Sequence, residues 1–304
     1  MSSIITRAIQ KLCDWTFNKT FIKHLNVIII FYAKQHIINS IKCHIVQVGG
    51  ILFMKIFAKV LAVMLAFGAV MWIFQAVNVS AALSSALSPN RQLPIYSVQT
   101  AEKKVAISFD AAWGDESTGA ILDILDKYKV KTTFFLVKFW AEKYPADVAE
   151  IQARGHEIGN HSASHPDMTG LSADQISKEL SDTSQAIENI TGKKTTLFRP
   201  PYGAYNNTVI STCEAQGYKV IQWSVDSLDW KNISTEQIVD RVTRDVKPGD
   251  IILFHNNAEK VAEYLPLVLE NLQKQGFEIV PVGQLIYYKN YQMDHTGKQC
   301  KVKK

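Results

Sequence analysis

Between residues 105 and 280 the sequence alternates short apolar runs with longer amphipathic segments, and this alternation leaves few folds open to the chain. Seven runs are typical of buried strands: Val105–Phe109, Thr132–Leu136, Glu157–Gly159, Leu197–Phe198, Val220–Ser224, Ile251–Phe254 and Glu278–Val280. The segments between them have helical spacing: Thr118–Tyr128, Ala141–Arg154, Ser172–Ile190, Asn207–Gln216, Thr235–Asp245 and Val261–Gln275. Such alternation predicts an α/β fold with a parallel sheet and helices outside it. Seven units are close to the number in a closed (β/α) barrel.

Local signals support these helix boundaries. Ser172, followed by Gln175, and Ser234 have hydroxyl groups that can cap a helix N-terminus. Glycines just past the predicted helix ends suit the left-handed conformation that commonly ends a helix, namely Gly155, Gly192, Gly217 and Gly276.

Polar residues of catalytic types follow the carboxyl ends of successive predicted strands. In chain order they are Asp110, His161, His165, Arg199, Asp226, Asp229 and His255. In a barrel these ends face one mouth, where active sites are built. Each residue alone has another explanation, such as a helix cap for Asp110 or a buried core histidine for His255. Their occurrence on one strand end after another favours a functional site.

His161 and His165 are the most informative pair. They lie four residues apart in a segment of small polar residues, directly after a short apolar strand. One helical turn or a tight loop would turn both imidazoles to the same side and offer two nitrogen ligands to one divalent metal. A pair of surface histidines is the alternative.

The set of motifs resembles the polysaccharide deacetylases of the NodB-homology type, carbohydrate esterase family 4, over roughly residues 98–290. Five motifs stand in the family's order: Ser108–Asp110, His161–Pro166, Arg199–Gly203, Asp226–Trp230 and Leu253–His255. The resemblance implies a distorted (β/α) barrel of about seven parallel strands and a divalent metal, with zinc favoured over cobalt, nickel or manganese. It also implies hydrolysis of N-acetyl groups from N-acetylglucosamine-type residues, with release of acetate.

The resemblance further implies a role for each matched residue. His161 and His165 would hold the metal, and Asp110 would be the general base, oriented and kept ionised by Arg199. His255 would protonate the leaving amine, with its charged form stabilised by Asp229. The remaining roles are the oxyanion contact of the Tyr202 backbone N–H and a substrate pocket of Trp230, Leu253 and Pro201.

One departure from the family pattern affects the metal. The family's first motif has two adjacent aspartates, the second of which ligates the metal, whereas Ala111 follows Asp110 here. A catalytic metal usually has three protein ligands. Asp115 is the favoured substitute, since Gly114 gives the loop freedom to fold back, with Glu116 or an extra water as alternatives. Both acids are also suited to the start of the helix at Thr118.

The N-terminal part of the chain has a different character. Residues 54–82 begin with lysines, continue with an apolar run at 60–77 and end in small residues, which predicts a secretory signal or a membrane anchor. Residues 1–53 form a basic extension, and we hypothesise that translation starts at Met54. Residues 83–97 are predicted to be a linker, 98–290 the deacetylase domain and 291–304 a basic tail.

Charge and cysteine usage limit the possible partners. Residues 1–59 contain eight Lys/Arg and one acid, whereas the rest of the chain contains 25 basic and 27 acidic residues, so no nucleic-acid surface is predicted. The four cysteines have neither metal-type nor disulfide-framework spacing.

We therefore expect a secreted or membrane-anchored, metal-dependent deacetylase acting on an N-acetylated cell-wall glycan, either peptidoglycan or a chitin-like polymer. The Phe-Asp-x-x-Trp-Gly variant of the first motif resembles a sporulation-associated bacterial branch. Two alternatives remain: a weak or inactive glycan-binding homologue, motivated by Ala111, and an O-acetyl esterase acting on another polymer.

Overall fold

The chain divides into two units, Met1–Ser88 and Pro89–Lys304. The computed structural model describes residues 30–35, 59–61, 64, 91–231 and 233–302. In the first unit the described residues are helical. The predicted signal or anchor at 54–82 and the extension at 1–53 lie almost wholly outside the described residues. No helix within the described ranges is long and apolar enough to cross a membrane.

The second unit is built on a parallel sheet of eight strands. Its strands are β2 (Lys104–Ala111), β3 (Thr133–Leu136), β4 (Glu157–Asn160), β5 (Leu197–Phe198), β6 (Lys219–Val220), β7 (Val225–Asp226), β8 (Ile251–His255) and β9 (Glu278–Val280). Seven of them follow the order β6-β5-β4-β3-β2-β8-β7, and β9 pairs with β2. This sheet, with helices packed on it, confirms the predicted distorted (β/α) barrel.

The helices agree with the predicted segments, apart from one segment that is divided and from α8, which was not predicted. They are α1 (Thr118–Lys127), α2 (Lys138–Lys143), α3 (Pro145–Ala153), α4 (Ala173–Thr191), α5 (Asn207–Ala215), α6 (Thr235–Thr243), α7 (Val261–Lys274) and α8 (Val282–Leu285). The predicted helix Ala141–Arg154 is wrong as a single element. It is divided between α2 and α3 because Pro145 lacks an N–H and suits only the first turn of a helix. Ser172 and Ser234 form complete capping boxes, as predicted.

The predicted strand Val220–Ser224 is also wrong, because these residues do not form one strand. Residues 219–220 form β6 at one end of the sheet, and residues 225–226 form β7 at the other end, beside β8. Between them the backbone of Ile221 bridges to Ile95. The fourth motif therefore follows β7 rather than β6. This crossing brings Asp229 next to His255, although 26 residues separate them in the chain.

A second, smaller sheet joins the two ends of this unit. It consists of β1 (Ser97–Val98), β11 (Lys298–Lys301) and β10 (Tyr291–Met293). It thus contains residues that the sequence assigns to the linker and to the basic tail. Gly249, at φ +90°, packs against β1 so closely that a Cβ there would overlap the Val98 carbonyl. A side chain at this position would therefore separate β1 from the barrel.

The core determines which side chains of β2 face the site. Phe109 is fully buried and stacks on Phe134 and Phe254, with ring centroids 5.0 and 5.8 Å away. Consecutive side chains of a strand point to opposite faces of the sheet. Asp110 therefore faces away from this aromatic core and towards the polar side chains at the carboxyl ends of the neighbouring strands.

Candidate active site

A buried ion pair lies at the centre of the site. Arg199, which follows β5, donates from Nη1 to Asp110 Oδ1 at 2.7 Å, and from Nη2 to the Gln222 carbonyl at 3.2 Å. Its guanidinium also lies over the Phe135 ring, 4.2 Å from the centroid. Burial alone would raise the pKa of Asp110, but the charge of Arg199, aided by His161 and His255, lowers it below the usual range. Asp110 is therefore held ionised, as a general base requires.

The two histidines lie beside this carboxylate. His161 Nε2 is 3.6 Å from Asp110 Oδ2, and the rings of His161 and His165 are 5.0 Å apart. His161 Nδ1 lies 2.7 Å from the Arg199 carbonyl. Because a carbonyl can only accept, this contact assigns the proton to Nδ1 and leaves the lone pair of Nε2 facing the site.

Burial keeps both imidazoles neutral. It lowers the pKa of His161, against the opposing charge of Asp110, and lowers that of His165 to about 4. Nδ1 of His165 is buried without a hydrogen-bond partner among the described residues. Neutral imidazoles with lone pairs directed into a buried site are in the protonation state that a metal ligand needs.

The loop that carries the histidines is fastened by Glu179 of α4. Oε2 of Glu179 accepts from the backbone N–H groups of Ala163 and Ser164 at 2.7 and 2.8 Å, and Oε1 accepts from the Ser164 hydroxyl at 2.8 Å. Asn160 accepts from the Ser162 N–H at 2.9 Å and donates to the Leu180 carbonyl at 2.8 Å. The position of His165 thus depends on a helix that begins after the loop.

Replacing Glu179 by alanine tests this support. Three hydrogen bonds to a charged group are lost, so we expect the free energy of unfolding to fall by about 1–3 kcal/mol and zinc affinity to fall by about 10–100-fold. Urea unfolding and a zinc titration by calorimetry measure the two effects. Glu188→Ala, on the same helix, is the matched control and is expected to change stability by less than about 0.5 kcal/mol. Equal behaviour of the two variants would contradict this role of Glu179.

A second cluster surrounds His255, at the end of β8. Its Nδ1 lies 2.7 Å from Asp229 Oδ1, and its backbone N–H donates to Asp229 Oδ2 at 2.8 Å. The buried hydroxyl of Tyr264 donates to the same Oδ2 at 2.9 Å. Burial lowers the pKa of His255, but the hydrogen bond to Asp229 and the charges of Asp229, Asp110 and Asp226 outweigh burial and raise it. His255 therefore favours the protonated form that a general acid requires.

The site loops contain most of the backbone strain found in the described residues. Six non-glycine residues have positive φ, and four of them lie in these loops: Ser162 (73°), His165 (56°), Tyr202 (58°) and Leu228 (55°). Such conformations are unfavourable for residues with a Cβ, and they concentrate at functional sites where the surrounding structure enforces them.

The predicted third metal ligand, Asp115, is not brought to the histidines. In the part of the chain that the structure describes, no group of three His, Cys, Asp or Glu side chains could hold a metal ion, so Asp115 does not complete a site with His161 and His165. The reason is local: the Asp115 carbonyl accepts from Thr118 N–H at the start of α1, and this turn directs the segment towards α2 and α3. The side chain of Glu116, the alternative third metal ligand, lies close to Gly114.

The donor set provides part of a metal site. Ala111, where the family has its second aspartate, is fully buried in the apolar core. Among the described residues no group of three His, Cys, Asp or Glu side chains has the spacing of a metal cluster. His161 and His165 could serve as two of the ligands of a divalent metal. The described residues around them add no third protein ligand.

The remaining predicted residues differ in exposure. Pro201 and Leu253 are buried, whereas the side chains of Tyr202 and Trp230 are exposed. The Tyr202 ring lies 4.7 Å from the His165 ring. The turn that carries it is closed by hydrogen bonds from Gly203 N–H to the Pro200 carbonyl and from Ala204 N–H to the Pro201 carbonyl.

Three residues that contribute to the site were not predicted from the sequence. Glu179 supports the histidine loop, Tyr264 supports Asp229, and Trp113 lies 4.9 Å from the His165 ring. Glu179 and Tyr264 stand within amphipathic helices, where no local signal separates them from ordinary surface or core residues. The sequence did offer a signal for Trp113 as a site residue, because it lies between the first motif and Gly114.

An ionised carboxylate, a neutral histidine pair and a histidine whose pKa is raised, all at one barrel mouth, define a hydrolase site. The chain belongs to the polysaccharide deacetylase family. The family model described as polysaccharide deacetylase matches residues 97–221.

Two relatives and one solved structure illustrate the family. A peptidoglycan-N-acetylglucosamine deacetylase of Bacillus cereus is 35% identical over 200 residues, which cover 64% of this chain and 93% of the relative. The peptidoglycan-N-acetylmuramic acid deacetylase PdaA of Bacillus subtilis is 33% identical over 202 residues, covering 65% and 77%. A pseudoenzyme of carbohydrate esterase family 4 from Bacillus anthracis superposes with a TM-score of 0.62 at 32% identity, covering 68% and 70%. A mutant of that pseudoenzyme has restored enzymatic activity.

Proposed function

We propose that this protein hydrolyses the N-acetyl groups of N-acetylglucosamine residues in peptidoglycan, outside the cytoplasm, and releases acetate. The observation that carries the proposal is the opposed ionisation of two groups on neighbouring strands. Asp110 and His255 are register partners of β2 and β8, and the site lowers the pKa of the first and raises that of the second. A base and an acid poised in this way suit amide hydrolysis.

Several features support the substrate and the location. The relatives named above act on amino sugars of peptidoglycan, as their names state. The sequence of residues 54–82 predicts export or anchoring in the membrane, on the side where the cell wall lies. The proposal commits to N-acetylglucosamine, and N-acetylmuramic acid is the competing sugar in the test.

The metal would be held by His161 and His165, with zinc favoured and cobalt, nickel or manganese as alternatives. When bound, a divalent metal polarises the acetyl carbonyl and lowers the pKa of a water molecule. The two histidines contribute the neutral nitrogen lone pairs that such binding needs. Asp115 lies in the turn that begins α1, where its carbonyl accepts from Thr118 N–H.

The protein's own residues carry out the proton transfers. Asp110 accepts the proton of the attacking water, and Arg199 keeps it ionised and correctly oriented. The developing oxyanion is stabilised by the Tyr202 backbone N–H, in the turn after β5. His255 gives a proton to the departing amine while Asp229 holds its ring. Leu253 and Trp230 line the pocket for the acetyl methyl group.

Acetate release from N-acetylglucosamine oligomers, with zinc or cobalt added, tests the proposal. We expect wild-type protein to release acetate, and His161→Ala protein, at matched concentration, to release none above background. Peptidoglycan fragments acetylated only on glucosamine or only on muramic acid decide between the sugars, and O-acetylated xylan tests the ester alternative. Equal release by wild type and His161→Ala would refute the hydrolase proposal.

Replacing Asp229 by asparagine tests the acid. The variant loses the charge that holds the pKa of His255 above its ordinary value, while burial, which lowers that pKa, remains. His255 must be protonated to act, so we expect the alkaline limb of the kcat/KM profile to move to lower pH. A pH–rate profile from pH 5 to 10 measures this shift. Asp226→Asn is the control. The charge of Asp226 raises the pKa of His255 less than the charge of Asp229 does, so we expect this variant to move the alkaline limb less.

A further inference from the structure

The indole of Trp113 has no role in the mechanism above, yet it lies at the mouth of the site. Its ring is 4.9 Å from the His165 ring and 6.4 Å from Phe139, and 56% of the residue is exposed. Tyr202 contacts the same histidine from the turn after β5. We call Trp113, Phe139 and Tyr202 the aromatic rim.

The loop that carries Trp113 is held in place by hydrogen bonds from two buried side chains. The carbonyl of Gly114 accepts from the indole N–H of Trp140 at 2.6 Å and from the side-chain amide of Asn256 at 2.8 Å. Trp140 and Asn256 are buried. Gly114 has φ +64°, and a Cβ there would overlap the Glu116 carboxylate. The exposure of Trp113 is therefore imposed by a fixed loop.

A large aromatic group held in water beside a catalytic cleft requires a reason, because burial would stabilise it. Exposed apolar groups next to a site commonly contact a ligand, and aromatic rings provide large contact areas at little entropic cost. One face of a pyranose ring consists of C–H groups, which pack on an aromatic ring while the hydroxyl groups stay in water.

We infer that Trp113 is a specificity-determining residue that stacks on the sugar ring next to the one being deacetylated. This inference rests on the proposed function, since the neighbouring ring belongs to the same glycan chain. Trp113 borders His165, so a ring packed on it lies one sugar away from the acetamide at the histidine pair. The chain would accordingly prefer polymers and longer oligomers to the shortest ones.

The test compares Trp113→Ala and Trp113→Phe with wild type on the single sugar N-acetylglucosamine, which has no neighbouring ring, and on its pentamer. For Trp113→Ala we expect the KM for the pentamer to rise about five- to tenfold, with kcat nearly unchanged and little effect on the single sugar. Trp113→Phe, which keeps a ring, should retain most of the affinity. Tyr288→Ala removes an exposed aromatic residue from the C-terminal segment and should leave the KM for both substrates unchanged.

Two outcomes would overturn the inference. An unchanged KM for the pentamer would show that no sugar ring packs on Trp113. Equal losses on the single sugar and the pentamer, together with a fall in zinc affinity measured by calorimetry, would make Trp113 a support for His165 instead.

Failure of the proposed function is distinguishable from failure of this inference. Pentamer binding is measured by calorimetry in an Asp110→Asn background, with and without Trp113→Ala. If wild type releases no acetate but binding still depends on Trp113, the inference stands while the hydrolase proposal fails.

Discussion

Asp110→Asn protein is expected to deacetylate with a kcat about 10²–10⁴-fold below that of wild type, because the amide cannot accept the proton of the attacking water. The amide oxygen still accepts a hydrogen bond from Arg199, whose Nη1 lies 2.7 Å from Asp110 Oδ1 in the wild type. KM should therefore change little, since the lost interaction belongs to the transition state. Steady-state acetate release from an N-acetylglucosamine pentamer measures the effect.

The controls separate chemistry from folding. Asp123→Asn, at an exposed carboxylate paired with Arg154, makes the same chemical change away from the site and should leave kcat unchanged. Zinc affinity should persist in Asp110→Asn protein, because the two histidines remain. Retention of more than about a tenth of wild-type kcat would show that Asp110 is not the general base.

Arg199→Gln protein is expected to lose about 3–5 kcal/mol of unfolding free energy, because Asp110 is left buried without its charge partner. Both side chains of the pair are almost completely buried, so water cannot replace the lost contact. Chemical denaturation at pH 7 measures the loss. Arg244→Gln, which breaks the exposed pair with Asp240, is the matched control and should cost no more than about 1 kcal/mol.

A pH series and a double variant test the electrostatic origin of this effect. In the wild type the pKa of Asp110 lies below its unfolded value, so the ion pair stabilises the fold above the unfolded pKa. That contribution is lost as pH falls through the folded pKa, and the cost of Arg199→Gln should shrink in acid. In Asp110→Asn/Arg199→Gln protein the cost should be smaller than the sum of the single costs. Additive costs at all pH values would contradict the pairing.

Much of the fold could be predicted because its signals are local. Apolar runs and helical spacing located the strands of the parallel sheet and the helices α1 to α7 to within a few residues, apart from the helix divided at Pro145 and the strand divided after Val220. They did not locate α8 or the three strands of the smaller sheet. Parallel strands point the same way, so the positions of Asp110 and His255 at the ends of apolar runs predict that both lie at one mouth. The order of the motifs then indicated the family.

What could not be predicted depends on contacts between distant parts of the chain. Residue 221 pairs with Ile95 rather than continuing β6, and this contact sends the fourth motif to the other end of the sheet. Glu179 is 16 residues from the loop it holds, and Tyr264 is 35 residues from Asp229. The position of Asp115 has a local cause instead, because the turn into α1, closed by the hydrogen bond from Thr118 N–H to the Asp115 carbonyl, directs it away from His161.

The sequence by itself determined which chemical groups stand at the strand ends: a carboxylate, two histidines four residues apart, an arginine and a further histidine. Only the tertiary structure decided their protonation states. Asp110 is ionised, His165 neutral and His255 inclined to protonate because burial and nearby charges lower the pKa of the first two and raise that of the third. Those distances exist only once β2, β4, β5 and β8 are assembled into one sheet.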